Sequence, residues 1–445
     1  MRPIPAIAAA ALAAAAWLIP AHAEDLVQVY RDAQRNDPAL AAARANWVAT
    51  QERLPQARSL LLPNVSATGS VNANVYDATF NTNPKSEING RTFGFGSLTV
   101  SASQPLYRYA NKVTIDQARD QVEQSDFTLQ SARQDLILRV AQAYFDVLLA
   151  QFNVELAETQ KVAVSEQLAQ AKRNFEVGVA TITDTNEAQA RYDAIVAQEI
   201  TARNDLENRR AALRAIIGRP PGDLRRLGPG FEPQLPSPNA ADEWVDRALA
   251  ENLQVRVAQY NVDIATLEVE RQRAGHLPTV DLVGSFNAQG GTGSTSISSG
   301  FDTRSGVVGI AVTVPIYQGG FVDSKVREAI ALQDNARQNL EAARRNALFS
   351  AQTGYAGVVS AVASVRAFEQ AVVSAQTAYE SNRTGQEVGV RTNLDVLNTQ
   401  QALFQTRRDL AQAYFNYLVG LLRLKSAVGA LTDEDLEDIN RRLRG

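Results

Sequence analysis

Two Thr-x-x-Asp boxes carry the most chemically suggestive spacing in this 445-residue chain: Thr181-Ile182-Thr183-Asp184 and Thr392-Asn393-Leu394-Asp395. A carboxylate three residues after a hydroxyl is the signature of a capped helix start. Both boxes follow a tight Val-Gly-Val, at Val177-Gly178-Val179 and Val388-Gly389-Val390. Arg391 sits beside the second box, where its plain role is that of a solvated charge. Catalytic chemistry has little else to draw on. The chain has no Cys, which excludes disulfides, thiolate metal sites and thiol nucleophiles. Of its two histidines, His22 falls in the leader and His276 in a turn before Pro278, where it reads as turn filler. With no paired acid and base on anything like a cleft, no enzyme and no cofactor are expected. The chain carries 44 Lys and Arg against 48 Asp and Glu, a net −4, or −5 once Arg2 leaves with the leader. That balance argues against nucleic acid as a partner.

The elements that must position these boxes begin after the leader. Arg2, the apolar run Ala6 to Ile19, Pro20 and the small-residue box Ala21-His22-Ala23 predict a secretory signal over 1–23 and a mature chain from Glu24. No Cys follows for lipid anchoring. No other segment has the ~18 uninterrupted apolar residues of a membrane helix, so any membrane-embedded part must be a β-barrel.

The mature chain says nearly the same thing twice. Leu62-Pro63-Asn64-Val65 returns as Leu277-Pro278-Thr279-Val280, Gln104-Pro105-Leu106-Tyr107 as Val314-Pro315-Ile316-Tyr317, and Glu176-Val177-Gly178-Val179 as Glu387-Val388-Gly389-Val390. The copies are far too long for solenoid units. The predicted boundaries are a first repeat over 24–217, a linker over 218–243, a second repeat over 244–430 and a tail over 431–445.

Each copy opens with a helix, Leu26 to Leu62 with a break at Asp37-Pro38, and Trp244 to Gly275. Alternation follows: Val65, Ala67, Gly69, Val71, Ala73 and Val75 against Ser66, Thr68, Ser70, Asn72 and Asn74, which predicts a strand with one apolar and one polar face. Val280, Leu282, Gly284, Phe286 and Ala288 repeat it. Loops are expected over 77–91 and 290–302. Returning strands carry Leu98, Val100 and Ala102, and Val308, Ile310, Val312 and Val314. Phe93 and Phe95 are out of phase, which predicts a bulge near Gly96. A soluble sandwich would show the same alternation. Against it stand the long runs of small polar residues and the lack of a partner sheet elsewhere in the chain. Four strands cannot close a barrel, so two copies would supply eight or three copies twelve; periodicity does not choose.

Long helices come next, from Asn111 to about Phe175 and from Phe321 to about Thr384. At 1.5 Å per residue, ~65 residues span roughly 100 Å. Leu136, Val140, Ala143, Val147, Ala150, Val154 and Ala157 mark a coiled-coil seam, as do Ala347, Ala351, Gly354, Val358, Ala361, Val365 and Phe368. After the turns at Gly178 and Gly389, helices return over Asp184 to Ile217 and Asp395 to Val428. Six prolines between Gly218 and Asn239 make a linker, and Thr432-Asp433-Glu434-Asp435 begins a last short helix.

This order, with Gly275-His276-Leu277-Pro278-Thr279-Val280-Asp281-Leu282, Val314-Pro315-Ile316-Tyr317-Gln318-Gly319-Gly320 and Val388-Gly389-Val390-Arg391-Thr392-Asn393-Leu394-Asp395, resembles the TolC family of outer-membrane efflux and secretion channels, in its branch without a lipid anchor. The likeness covers essentially the whole mature chain. It implies an α+β membrane protein: a homotrimer with a twelve-stranded outer-membrane barrel, four strands per protomer, continued by an α-helical tunnel in the periplasm. It implies a passive, gated exit duct of a tripartite efflux pump or type I secretion system, docked to a periplasmic adaptor and an inner-membrane transporter of the RND or ABC type. A closing network at the periplasmic end would fall on Thr183, Asp184 and Arg391, with Gln386 where the family has Tyr. An acidic ring would fall on Asp395. The family's second acidic position is Asn398 here, so one ring is expected where the family has two. The rival reading is a periplasmic coiled-coil adaptor or spacer without a pore. It accounts for the rods but not for the alternating hairpins.

Overall fold

The computed structural model describes residues 23–81, 83–84, 86–228, 231–296 and 299–444. The expected signal, through His22, lies outside the described residues, as do Lys85 and Ser298 of the loops expected over 77–91 and 290–302. In chain order the elements are α1 (Leu26–Asn36), α2 (Pro38–Gln51), α3 (Arg53–Ser59), β1 (Asn64–Phe80), β2 (Ser86–Tyr107), α4 (Tyr109–Glu176) and α5 (Ile182–Ile217). Then come β3 (Arg226–Leu227), α6 (Ala241–Glu251), α7 (Leu253–Arg273), β4 (Thr279–Gly291), β5 (Phe301–Thr313), α8 (Phe321–Glu387), α9 (Asn393–Ala427), α10 (Asp433–Asn440) and β6 (Leu443–Arg444). They fall into two compact units. One holds Met1–Ala45, Thr128–Val255 and Ala343–Gly445; the other holds Asn46–Phe127 and Arg256–Ala342.

The unit of Asn46–Phe127 and Arg256–Ala342 is built on an antiparallel sheet in the order β1-β2-β4-β5. Residues opposed across antiparallel strands share a face, and the register sorts β1, β2 and β4 well, while β5 departs from it by setting Arg304 opposite Ala288 and Val307 opposite Ser285. Ala67 stands opposite Val100, Val100 opposite Phe286, and Phe286 opposite Gly306. The next row of that face is Val65, Ala102, Gly284 and Val308. The other face carries Ser66, Ser101 and Ser285 in one row and Thr68, Thr99, Asn287 and Ser305 in another. Hydroxyls pair across it, Ser66 with Ser101 and Ser70 with Ser97 at 2.9 Å each, and Thr99 donates to Asn287 Oδ1 at 3.3 Å. The apolar face is bare: Val71 is 90% and Val308 82% exposed.

Two strand expectations need correction. The register runs unbroken through Gly96, with no bulge there. Phe93 and Phe95 stand opposite Asn74 and Asn72, on the polar face, and the Phe95 ring lies 6.4 Å from that of Phe301. The irregularities fall at Tyr76/Ala78 and Pro105/Tyr107. A bulge suits Pro105, which has no N–H to give a ladder. The strands also run further than expected, to Phe80 and from Ser86 around the first turn, because alternation fades there while backbone pairing continues.

Within the unit of Met1–Ala45, Thr128–Val255 and Ala343–Gly445, most of the expected seam is buried, while Ala143, Gly354, Ala361 and Phe368 are partly exposed. Leu136, Val140, Val147, Ala150, Val154 and Ala157 of α4 are buried, as are Ala347, Ala351, Val358 and Val365 of α8. Gly354 approaches α9 closely: a Cβ there would stand 3.4 Å from Leu424 Cδ1 and 3.5 Å from Leu424 Cα. By mean hydropathy, 1.3, one 18-residue stretch of α8 is apolar enough to cross a membrane, although no run in it is uninterrupted. Only 17% of that stretch is buried within the protomer.

The opening helices are more divided than their sequence suggests. Asp37 ends α1 and caps α2, accepting from the Leu40 N–H at 2.7 Å, while Arg139 grips its carboxylate at 2.9 Å. Asn252, at the equivalent place between α6 and α7, accepts from the backbone N–H groups of Gln254 and Val255 and donates to the Ala427 carbonyl at 2.7 Å. The linker gains structure by pairing β3 with β6. Phe231 lies beside Tyr414 and Tyr417, and Tyr417 bonds the backbone of Gln234. The tail forms α10 behind the Thr432/Asp435 capping box, anchored by the Lys425–Asp435 ion pair.

Candidate functional site

The two boxes end up at two helical turns built alike. Gly178 and Gly389 take φ of +78° and +79°, a left-handed conformation that costs glycine least. The chain reverses there, with Val179 N donating to the Asn174 carbonyl at 2.9 Å and Val390 N to that of Gly385 at 2.9 Å. Each returning helix starts on a complete capping box. Asp184 Oδ2 accepts from Thr181 N at 2.9 Å and Oγ1 at 2.8 Å; Asp395 Oδ2 accepts from Thr392 N at 3.0 Å and Oγ1 at 2.9 Å. These bonds, with the Arg391 charge nearby, hold the Asp395 carboxyl below the usual carboxylate range.

Of the residues assigned to the closing network, Gln386 donates to Asn393 Oδ1 at 3.2 Å and so braces its own turn. Arg391 is exposed, with its stem over Gly385, where a Cβ would meet Arg391 Cγ at 2.6 Å. Thr183 is exposed too. Among the described residues, no hydrogen bond or ion pair joins Arg391 to Thr183 or Asp184 within the protomer. What does join the two returning helices is Arg191, which sequence reasoning missed. Its Nη2 donates to Asn398 Oδ1 at 3.0 Å, and its Nη1 donates to Gln401 Oε1. The repeat gives no signal for it, since the corresponding position in α9 is Ala402. Behind these groups the interior is apolar: Val164, Ile195 and Leu397 form one cluster and Leu168, Ala171 and Ala188 another, both touched by Tyr192.

A sheet bare on an apolar face, and long helices whose turns carry capped carboxylates, define an α+β, mostly helical channel protein. The sequence pattern of the family described as Outer membrane efflux protein matches residues 29–219 and 244–430. Outer membrane protein TolC of Vibrio cholerae serotype O1 is 33% identical over 434 residues, 97% of this chain and 96% of that protein. Alkaline protease secretion protein AprF of Pseudomonas aeruginosa is 33% identical over 94% of this chain and 87% of its own length. The crystal structure of the Campylobacter jejuni CmeC outer membrane channel matches with a TM-score of 0.77 over 95% of this chain and 90% of that one, at 17% identity. The chain belongs to the outer membrane efflux protein family. It is an outer-membrane exit duct for efflux or secretion, and its relatives are channels rather than enzymes.

Proposed function

We propose that the chain works as a homotrimer, two structural repeats per copy (24–217 and 244–430), with the linker 218–243 and the tail 431–445 packed together beside the helices. Three four-stranded sheets close a twelve-stranded barrel in the outer membrane, and the helical hairpins form a tunnel in the periplasm. The observation that carries this reading is the sheet's sorting into a mainly apolar and a mainly polar face near its helix-proximal rows, with β1 and β5 unpaired at its edges. In lipid, each unpaired backbone group costs several kcal/mol, so those edges require neighbours. The exposed apolar stretch of α8 calls for the same neighbours. A spacer without a pore has no use for such a sheet.

The periplasmic end is closed by Thr183, Asp184, Gln386 and Arg391, with Arg391 reaching Asp184 or Thr183 of an adjacent hairpin. Asp395 supplies a ring of three carboxylates at the narrowest point, and Asn398 leaves the next turn without a second one. Passage is passive. A periplasmic adaptor and an inner-membrane transporter of the RND or ABC type supply opening and energy, in a tripartite efflux pump or a type I secretion system. The test is conductance in planar bilayers. The double variant Arg391→Ser, Asp184→Ala raises single-channel conductance and admits large antibiotics to cells that express it. Unchanged conductance shows that closure rests on other contacts.

A further inference from the structure

Arg191 has an unusual place for a cation. Both its side-chain bonds go to neutral amide oxygens, those of Asn398 and Gln401, and among the described residues it makes no ion pair. Its charge is therefore not tied up in an ion pair. A guanidinium has five N–H donors in a planar fork, so several remain for another group. Asn398 and Gln401 are exposed, three and six residues beyond Asp395 on α9. At 1.5 Å per residue they lie about 4.5 and 9 Å along the helix from the carboxylate. That is about the ~8 Å over which salt screens charges at physiological strength. The guanidinium and the carboxylate thus act on one short stretch of one surface.

We infer that Arg191 sets the charge selectivity of the constriction, placing a ring of three positive charges about one helical turn behind the Asp395 ring. The inference rests on the reading of Asp395 as lining the narrow end. A duct so built is charge-balanced at its mouth. The Asp395 ring attracts cations, and the Arg191 ring lowers the barrier to solutes bearing carboxylate or phosphate groups, which match the free edge of a guanidinium. It also changes what Asn398 means. Asn398→Asp would not open a second acidic ring to solution. The new carboxylate would stand against Arg191, which already reaches position 398, and the two would neutralise each other.

Reversal potentials under a salt gradient, and block by hexaamminecobalt(III) from the periplasmic side, test this on the purified full-length channel in planar bilayers. Arg191→Gln shifts selectivity toward cations and tightens block severalfold, whereas Arg191→Lys, which keeps the charge, stays near the parent. Asp395→Asn shifts selectivity toward anions and weakens block. If Asp395→Asn acts as stated but Arg191→Gln leaves both readings unchanged, the inference is wrong and the aperture reading survives. If neither variant changes either reading, the aperture reading itself fails and takes the inference with it.

Discussion

Thr392 and Asp395 show how one carboxylate serves two purposes. Its hydrogen bonds to Thr392 start α9, and the same bonds favour its charged form, so capping and a persistent negative charge are one arrangement. The boxes are legible in the sequence because a cap is a local device, fixed by residues three apart. Arg191 is not, because its acceptors lie 207 and 210 residues away and only the contact of α5 with α9 brings them near. Glu268 on α7 mixes the two, with a local partner in Arg271 and a distant one in Gln117. Arg271 grips it through two bonds, Gln117 donates to it at 3.0 Å, and its carboxyl is held down from 4.5 to about 2. A depressed folded-state value means that this contribution is complete above pH 4.5 and is lost as pH falls toward 2. Glu268→Gln should therefore cost about 1–2 kcal/mol at neutral pH, the scale of a hydrogen bond to a charged group. Melting curves of parent and variant should converge as pH falls from 4.5 toward 2. A gap that stays constant with pH would show that Glu268 contributes by packing rather than by charge.

At the scale of elements, strands and long helices follow from period alone, since alternation and four-three spacing each describe a single segment against a single environment. Register does not follow, and that is why the phase of Phe93 and Phe95 suggests a bulge near Gly96 that the sheet lacks. Those rings are tolerated on the polar face because Phe95 meets Phe301 there. Breaks are legible where a Pro announces them, as at Pro38, and illegible at Asn252, where a side-chain amide does the work of the Asp37 carboxylate with no Pro beside it. The seam of α8 offers a direct check. A Cβ on Gly354 would already be in van der Waals contact with Leu424 Cα, at 3.5 Å, so it is the atoms of a leucine beyond Cβ that must find room against α9. Gly354→Leu should overpack the α8–α9 contact by about 1–3 kcal/mol in each copy. The variant should melt lower than the parent, and equal melting of the two would put the seam on another face.

At the scale of the whole molecule, the question is how many copies make the channel. β1 and β5 each bond to one neighbour, so the four-stranded sheet of one copy ends in two open edges. Two copies would supply eight strands, and a barrel of about eight has an interior just wide enough for side chains to fill it. Such a barrel would waste the polar face, whose Ser, Thr and Asn rows suit a wet lumen. Twelve strands give a wider barrel, with its apolar rows outward in lipid and its hydroxyl rows facing water. Cross-linking in mild detergent should accordingly yield trimers. A cysteine pair introduced at Val71 of β1 and Val308 of β5, in a chain with no cysteine of its own, should form disulfides between copies only if the two edges meet at that register. The trimer should therefore be captured by some pair along these two edges and by none placed in β2 and β4, which lie inside one sheet and would cross-link only within a copy. Trimers held through β2 and β4, or a monomer that inserts into bilayers and conducts by itself, would refute closure of the barrel through these edges.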